Sequence, residues 1–246
     1  MISFFSKKKY LIDLLEGFVD MHNHLLPGID DGAKTVADSI ELIKGFAEFG
    51  VQNFIATPHI MHNYYDNTPT TIQNALSLLQ QEVKNNALDQ VVIRASAEHM
   101  IDSNFETILA DNQIMPMQKD HLLIEMSYLQ RPINFDEAVV AVAHHRFFPI
   151  LAHPERYNFL HGRTKKYGEF KQQGMFFQLN MLSLSEFYNK EVQKIAFKLL
   201  QEDMIDFIGS DVHNLEQLNA LKKITIKEKT KTLLLPIIEN TIERFK

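Results

Sequence analysis

The chain has 246 residues, a formal net charge of −6 and no cysteine. The acidic balance argues against a nucleic-acid backbone as the main partner, because such proteins carry a basic face. Absent cysteine removes disulfides, thiolate nucleophiles and Cys-based zinc knuckles, and is compatible with a reducing cytosol. Apolar residues make up 45%, ordinary for a globular fold, and no apolar run approaches the ~20 residues a membrane span needs.

The first stretch, MISFFSKKKYLIDLLE, has charge in its middle and does not read as a signal peptide. Residues 1–16 read as a leader helix packing by Leu11, Leu14 and Leu15, with Lys7-Lys8-Lys9 beside Phe4 and Phe5 as a possible contact to an anionic membrane. From residue 17 onward, short apolar runs alternate with amphipathic stretches. The runs cover 18–24, 53–59, 91–99, 121–126, 148–155, 176–180 and 205–213. Helical spacing predicts helices over 33–49, 70–87, 104–111, 135–146, 165–173, 188–201, 214–222 and 229–243, with Pro236 expected to kink or restart the last. This alternation implies parallel β-α units joined by right-handed crossovers. Seven units in one domain, residues 17–246, suggest a barrel, which typically takes ~250 residues. No Gly-x-Gly-x-x-Gly follows any run, which weakens a dinucleotide-binding reading. The loop at 60–69, with His62, Tyr64, Tyr65 and Asp66, reads equally as a ligand cover or a surface turn.

Polar residues collect at the ends of these runs. They are His22 and His24, His59, Glu98, Glu125, His153, and Asp211 with His213. In a parallel α/β barrel the carboxyl ends of the strands share one rim, so residues distant in sequence meet in one cup. Asp31 follows the first run in a Gly-Ile-Asp-Asp-Gly turn. A single His or Glu ending a strand is usually a cap, and His62, His99, His121, His144, His145 and His161 are assigned to that class. Six of seven runs ending in such groups is another matter. Asp31, Glu98, Glu125 and Asp211 crowded together would repel, and each buried ion costs several kcal/mol; divalent cations resolve that cost. Five histidines and four carboxylates suit two or three ions, and donors without thiolate suit Mn, Fe or Zn. Three such ions against four carboxylates leave a pocket of roughly +2, which favours an anion such as phosphate, and metals lower the pKa of bound water.

His22-Asn23-His24, Asp31-Gly32, Thr57-Pro58-His59, Glu98, Glu125, His153-Pro154-Glu155-Arg156 and Ser210-Asp211-Val212-His213-Asn214 resemble the polymerase and histidinol phosphatase (PHP) superfamily. LPGIDDGAK, ATPH, AHPERY and SDVHN resemble its bacterial capsule and exopolysaccharide branch, manganese-dependent protein-tyrosine phosphatases, over about residues 17–245. The resemblance implies a distorted seven-stranded (β/α) barrel holding three metals. His22, His24, Glu98 and Asp211 would hold one ion; Asp31, His59 and His213 a second; Glu125, His153 and a bridging Glu98 the third. It implies hydroxide attack on phosphorus, with Arg156 binding phosphate and Arg156, Asp211 and Glu98 carrying the chemistry. The implied partner is a phosphotyrosine-bearing protein, a polysaccharide-synthesis tyrosine kinase, and the implied compartment the cytoplasm. One departure stands out: the second phosphate-facing arginine usual after the Asp-x-His-Asn motif is missing from Leu215–Ala220, leaving Arg163 or Lys34 as candidates to replace it.

Three functions remain in play. The first is a metal-dependent phosphotyrosine-protein phosphatase, favoured by the short 60–69 loop and the LPGIDDGAK stretch. The second is hydrolysis of a small phosphomonoester such as histidinol phosphate. The third is a non-catalytic, metal-stabilised binding module, which the full set of nine ligand types argues against.

Overall fold

The computed structural model describes residues 8–246. Its strands are β1 (Lys9–Tyr10), β2 (Val19–Asp20), β3 (Asn53–Ala56), β4 (His59–Ile60), β5 (Val92–Ala95), β6 (Glu98–Met100), β7 (His121–Glu125), β8 (Phe148–Ala152), β9 (Phe176–Asn180), β10 (Phe207–Gly209) and β11 (Thr225–Ile226). The helices are α1 (Val36–Ala47), α2 (Pro69–Asn85), α3 (Phe105–Ala110), α4 (Phe135–His144), α5 (Lys165–Gln172), α6 (Lys190–Gln201), α7 (Leu215–Leu221) and α8 (Glu228–Phe245). It is an α/β fold built on parallel strands. A six-stranded sheet runs β10-β9-β8-β7-β6-β4, and a three-stranded one runs β2-β3-β5. No described helix is long and apolar enough to cross a membrane.

The apolar runs at 53–59 and 91–99 each appear as two short strands. Pro58, between β3 and β4, has no N–H to donate to a ladder. The chain keeps its course across both breaks: Ser96 N–H bonds the Ala56 carbonyl at 2.8 Å and Glu98 N–H the Pro58 carbonyl at 3.1 Å. The first and last runs also stop short, at Asp20 and Gly209, so His22, His24, Asp211 and His213 stand beyond the regular strands. They are held by cross-links instead. Asp211 N–H donates to the His22 carbonyl (2.7 Å), His24 N–H to that of Val212 (3.0 Å), and Thr57 N–H to that of Asn23 (2.8 Å).

Helix starts follow their sequence signals. Thr35 Oγ1 accepts from Asp38 N–H at 3.2 Å while the Asp38 carboxylate accepts from Thr35 N–H at 2.9 Å, a reciprocal cap worth about 1 kcal/mol. Thr68 and Thr71 cap α2 in the same way, with Pro69 at the first helical position. Asn189 and Asn214 cap α6 and α7. Two expectations are revised. α8 runs through Pro236 without restarting. The leader is not helical where it is described: β1 pairs antiparallel with β11, followed by a single 3-10 turn over Leu11–Leu14. Pairing with residues 225–226 supplies the backbone bonds so short a segment would lack as a helix. Leu11 and Leu15 are buried in the main core. Phe4, Phe5 and Lys7 lie outside the described residues.

A second, inner cluster joins Val19, Met21, Ile55, Leu123, Ile150 and Phe207 with Phe245. Val19, Ile55, Leu123, Ile150 and Phe207 all precede the polar strand ends, so this cluster forms a floor beneath them. The His121 ring packs on this floor, 5.9 Å from that of Phe245. His99 is equally structural. Its Nδ1–H donates to the Leu123 carbonyl at 2.9 Å and Nε2 accepts from Met115 N–H at 3.2 Å. Burial pushes its pKa from 6.5 down to about 4, against the pull of its bond to Leu123 and of Glu98. A depressed folded pKa gives stability that is complete above pH 6.5 and lost as pH falls through about 4. We therefore expect His99 to contribute ~3 kcal/mol of acid sensitivity. Its ring resonances should stay those of a neutral Nδ1–H tautomer from pH 8 to pH 5; titration near 6.5 would contradict this.

Candidate metal centre

All nine predicted ligands converge above the floor. The β4–β6 ladder sets His59 opposite Glu98, and the β6–β7 ladder sets Met100 opposite Glu125, so one edge of the sheet delivers three of them. His153 and Asp211 reach the site through left-handed backbone, at φ 33° and 53°. Such strain in non-glycine residues is retained where neighbours over-determine it. Two glycines permit the packing. A Cβ on Gly32 would lie 2.2 Å from the His24 carbonyl oxygen, and one on Gly209 would lie 2.7 Å from the His22 Cβ.

The donor atoms fall into three overlapping groups, each within 4.8 Å: His22, His24, Glu98, Asp211; His24, Asp31, His59, His213; and His59, Glu98, Glu125. The first is the set the resemblance implied. In the second, His24 joins Asp31, His59 and His213. In the third, His59 stands where His153 was expected. The His153 Nε2 nevertheless lies 2.9 Å from Glu98 Oε1. His59 serves two groups because both ring nitrogens face inward: Nε2 is 3.3 Å from Asp31 Oδ1 and Nδ1 is 2.9 Å from Glu125 Oε1.

His22 Nε2, His24 Nε2, His59 Nδ1, Glu98 Oε2 and Glu125 Oε1 are buried without a hydrogen bond. Buried polar atoms are rarely left so, and these point at one another. The nitrogen and oxygen donor set, without sulfur, suits a divalent metal. Behind the donors, the other ring nitrogen is fixed. His22 Nδ1–H donates to Gln178 Oε1 (2.8 Å), His24 Nδ1–H to Asp30 Oδ2 (2.8 Å), and His213 Nδ1–H to the Asp211 carbonyl (2.9 Å). This is the arrangement that orients metal-binding imidazoles. Asp30, Gln178 and Asn180 escaped the sequence reading. The available signal was Gln178 and Asn180 inside the apolar 176–180 run, the one run with no ligand at its end.

Electrostatics in the metal-free protein carry the same message. Burial works to raise Asp211 and Glu98, but His22 and the neighbouring imidazoles outweigh it and hold both well below the carboxylate range. Conversely, burial works to lower His59, and Glu125 and Glu98 hold it well above 6.5. His213 goes the other way, down to about 4, through burial and the charge on His24. Protons on imidazole thus offset the carboxylates in place of cations.

The centre opens into a cleft of about 860 Å³. Its lining joins the donor set and Arg156 with Met61, Tyr65, Ile101, Tyr128, Leu129 and Pro132. The 60–69 loop is therefore part of the cleft wall, with Tyr65 stacked on His59 at 5.5 Å, and His62, assigned as bland, lies on that wall too. His144 and His145 are exposed at the end of α4 and His161 bonds the Glu155 carbonyl, both away from the donors. Arg156 Nη1 donates to Asp211 Oδ2 at 2.6 Å, while Oδ1 of the same carboxylate faces His22 and His24. Its guanidinium lies 4.7 Å from the Tyr128 ring and 4.1 Å from that of Tyr188. Neither Arg163 nor Lys34 lines the cleft; Lys34 Nζ bonds the Asp30 carbonyl at 3.0 Å. Among the described residues Arg156 is the one arginine or lysine on its wall.

Two measurements follow from this geometry. Manganese loading at pH 7 should release protons from His22, His24 and His59, so calorimetric heats should vary with the ionisation enthalpy of the buffer. Buffer-independent heats would contradict protonated imidazoles. Asp30→Ala should weaken metal affinity by ~10–100-fold through loss of the His24 anchor, read by competition with a chelating dye.

The chain was compared with known proteins. It matches the family model for capsular polysaccharide synthesis, CpsB/CapC, over residues 18–231. It is 27% identical over 202 residues to the tyrosine-protein phosphatase YwqE of Bacillus subtilis, covering 82% of this chain and 79% of that one. It is 26% identical over 204 residues to the tyrosine-protein phosphatase CpsB of Streptococcus agalactiae, covering 80% and 84%. A crystal structure from work on YwqE of Bacillus subtilis and CpsB of Streptococcus pneumoniae, described as metal-dependent tyrosine phosphatases, superposes with a TM-score of 0.76 at 25% identity, covering 90% of this chain and 94% of that one. With the family model matched along most of its length, the chain belongs to the CpsB/CapC family of capsular polysaccharide synthesis.

Proposed function

We infer that the protein is a metal-dependent phosphatase of phosphotyrosine-bearing proteins. The observation that carries this is the convergence of three overlapping donor groups at the inner end of a cleft with aromatic and apolar walls. A phosphate needs the polar end and a phenyl ring the walls. The relatives named as tyrosine-protein phosphatases support the same reading. Within the PHP superfamily, the corresponding architecture is a seven-stranded (β/α) barrel. The bridge between Asn23 and Val212, which joins the first apolar run to the last, supports closure of that ring.

His22, His24, Asp31, His59, Glu98, Glu125, His153, Asp211 and His213 would hold two or three divalent cations, manganese foremost, with iron or zinc as alternatives. Such cations supply a water of lowered pKa and offset the charge of the phosphoryl group. The chain's own residues do the rest. Arg156 presents a planar fork suited to phosphate oxygens, held in place by Asp211 and by the faces of Tyr128 and Tyr188. Met61, Ile101 and Tyr65 shield the bound ring from water. The substrate we favour is the tyrosine-phosphorylated cytoplasmic tail of a polysaccharide-synthesis kinase, which fits the family's role in capsule synthesis.

Offered a phosphotyrosine peptide and histidinol phosphate with manganese, the protein should turn over the peptide faster, and chelator should abolish both activities. Faster hydrolysis of histidinol phosphate would reverse the assignment. Asp211→Asn and His59→Ala should each lower kcat/KM by at least ~10²-fold with circular dichroism unchanged; a fully active variant would contradict the site.

A further inference from the structure

The polar end of the cleft is short of cationic donors. Arg156 is the one arginine or lysine on its wall among the described residues, and part of its fork is already spent on Asp211. Cations held by the cluster would meet part of the charge of a phosphate dianion, but its oxygens turned away from them still need donors, because each acceptor oxygen left unpaired in a buried site forfeits a charge-assisted bond. Tyr128 is placed to supply one. Its ring is in contact with the Arg156 guanidinium, at 4.7 Å, and it lines the cleft. Its hydroxyl lies 3.5 Å from His153 Nε2, at the outer limit of a hydrogen bond. That nitrogen lies closer to Glu98, at 2.9 Å.

The comparison with Tyr188 sharpens the point. Both rings stack on Arg156, but the Tyr188 hydroxyl accepts from Asn180 Nδ2 at 2.9 Å, and Tyr188 does not line the cleft. Tyr128 therefore combines the same stacking with a place on the cleft wall and a hydroxyl whose contact to His153 Nε2, at 3.5 Å, is long.

We propose that Tyr128 is a phosphate-binding residue, donating its phenolic hydrogen to a non-bridging phosphoryl oxygen beside Arg156. The proposal rests on the phosphatase reading above. No bond is made or broken by Tyr128; the hydroxyl keeps its proton throughout.

Tyr128→Phe keeps the ring under Arg156 and removes only the hydroxyl. In the manganese-loaded full chain, this variant should raise the inhibition constant of inorganic phosphate about tenfold. It should also lower kcat/KM for a phosphotyrosine peptide to a similar degree, and shrink the rise in melting temperature produced by phosphate. Metal content, read by elemental analysis, should stay at the wild-type value. Tyr128→Leu, which also removes the stacking surface, should lose more than Tyr128→Phe. An inhibition constant and kcat/KM within twofold of wild type in Tyr128→Phe would overturn the proposal. So would a loss matched by lost metal, which would make the hydroxyl a support for His153. A wild-type protein that neither binds phosphate nor hydrolyses the peptide would overturn the phosphatase reading along with it.

Discussion

The structure depends on one electrostatic problem, the burial of carboxylates. Glu98, Asp211 and Glu125 are all buried, and the half-exposed Asp31 stands beside them. Ionised carboxylates do not stay buried together without compensation. The chain surrounds them with His22, His24, His59, His153 and His213, groups that can bring protons or give them up to a metal. Every other device near the site serves that arrangement. Gly32 and Gly209 let backbone approach the first two histidines, the left-handed turns at His153 and Asp211 aim their side chains, and Asp30 and Gln178 hold the ring nitrogens that face away.

Asp211 is the hinge of this design. One oxygen faces the imidazoles; the other accepts from Arg156 and from Asn180 Nδ2 at 2.6 Å. Asn180 is in turn fixed by its backbone N–H, which donates to the buried Glu155 carboxylate at 3.0 Å. A single carboxylate thus couples the position of the Arg156 guanidinium to the state of the donor cluster. Glu155 and Arg156, neighbours in the AHPERY segment, act on Asp211 from opposite directions.

Much of this was legible in the sequence. The β-α alternation and helix positions were readable because apolar residues recur at helical spacing between the short apolar runs. The convergence of the candidate ligands was readable because histidines and carboxylates ending apolar runs have few purely structural explanations when they recur. What escaped was set by three-dimensional detail. Strand ends were overextended beyond Asp20 and Gly209 because Met21 and Val212 continue the apolar pattern while the bonding there is irregular. His59 was assigned to one group rather than two because sequence gives no ring orientation. Gln178 and Asn180 were passed over because a polar residue within a strand shows its purpose only when its partner is known. The described part of the leader was misread as an α-helix because the strand that Lys9–Tyr10 pairs with lies more than two hundred residues away, at Thr225–Ile226.

The floor beneath the site has a further consequence. Phe245 and Phe207, with the apolar residues around them, close the space below the donors, leaving the cleft as the route in. Traffic through a one-ended vessel is ordered by depth. On the proposed reading, a cation held among the imidazoles would enter by the same passage that a substrate later fills.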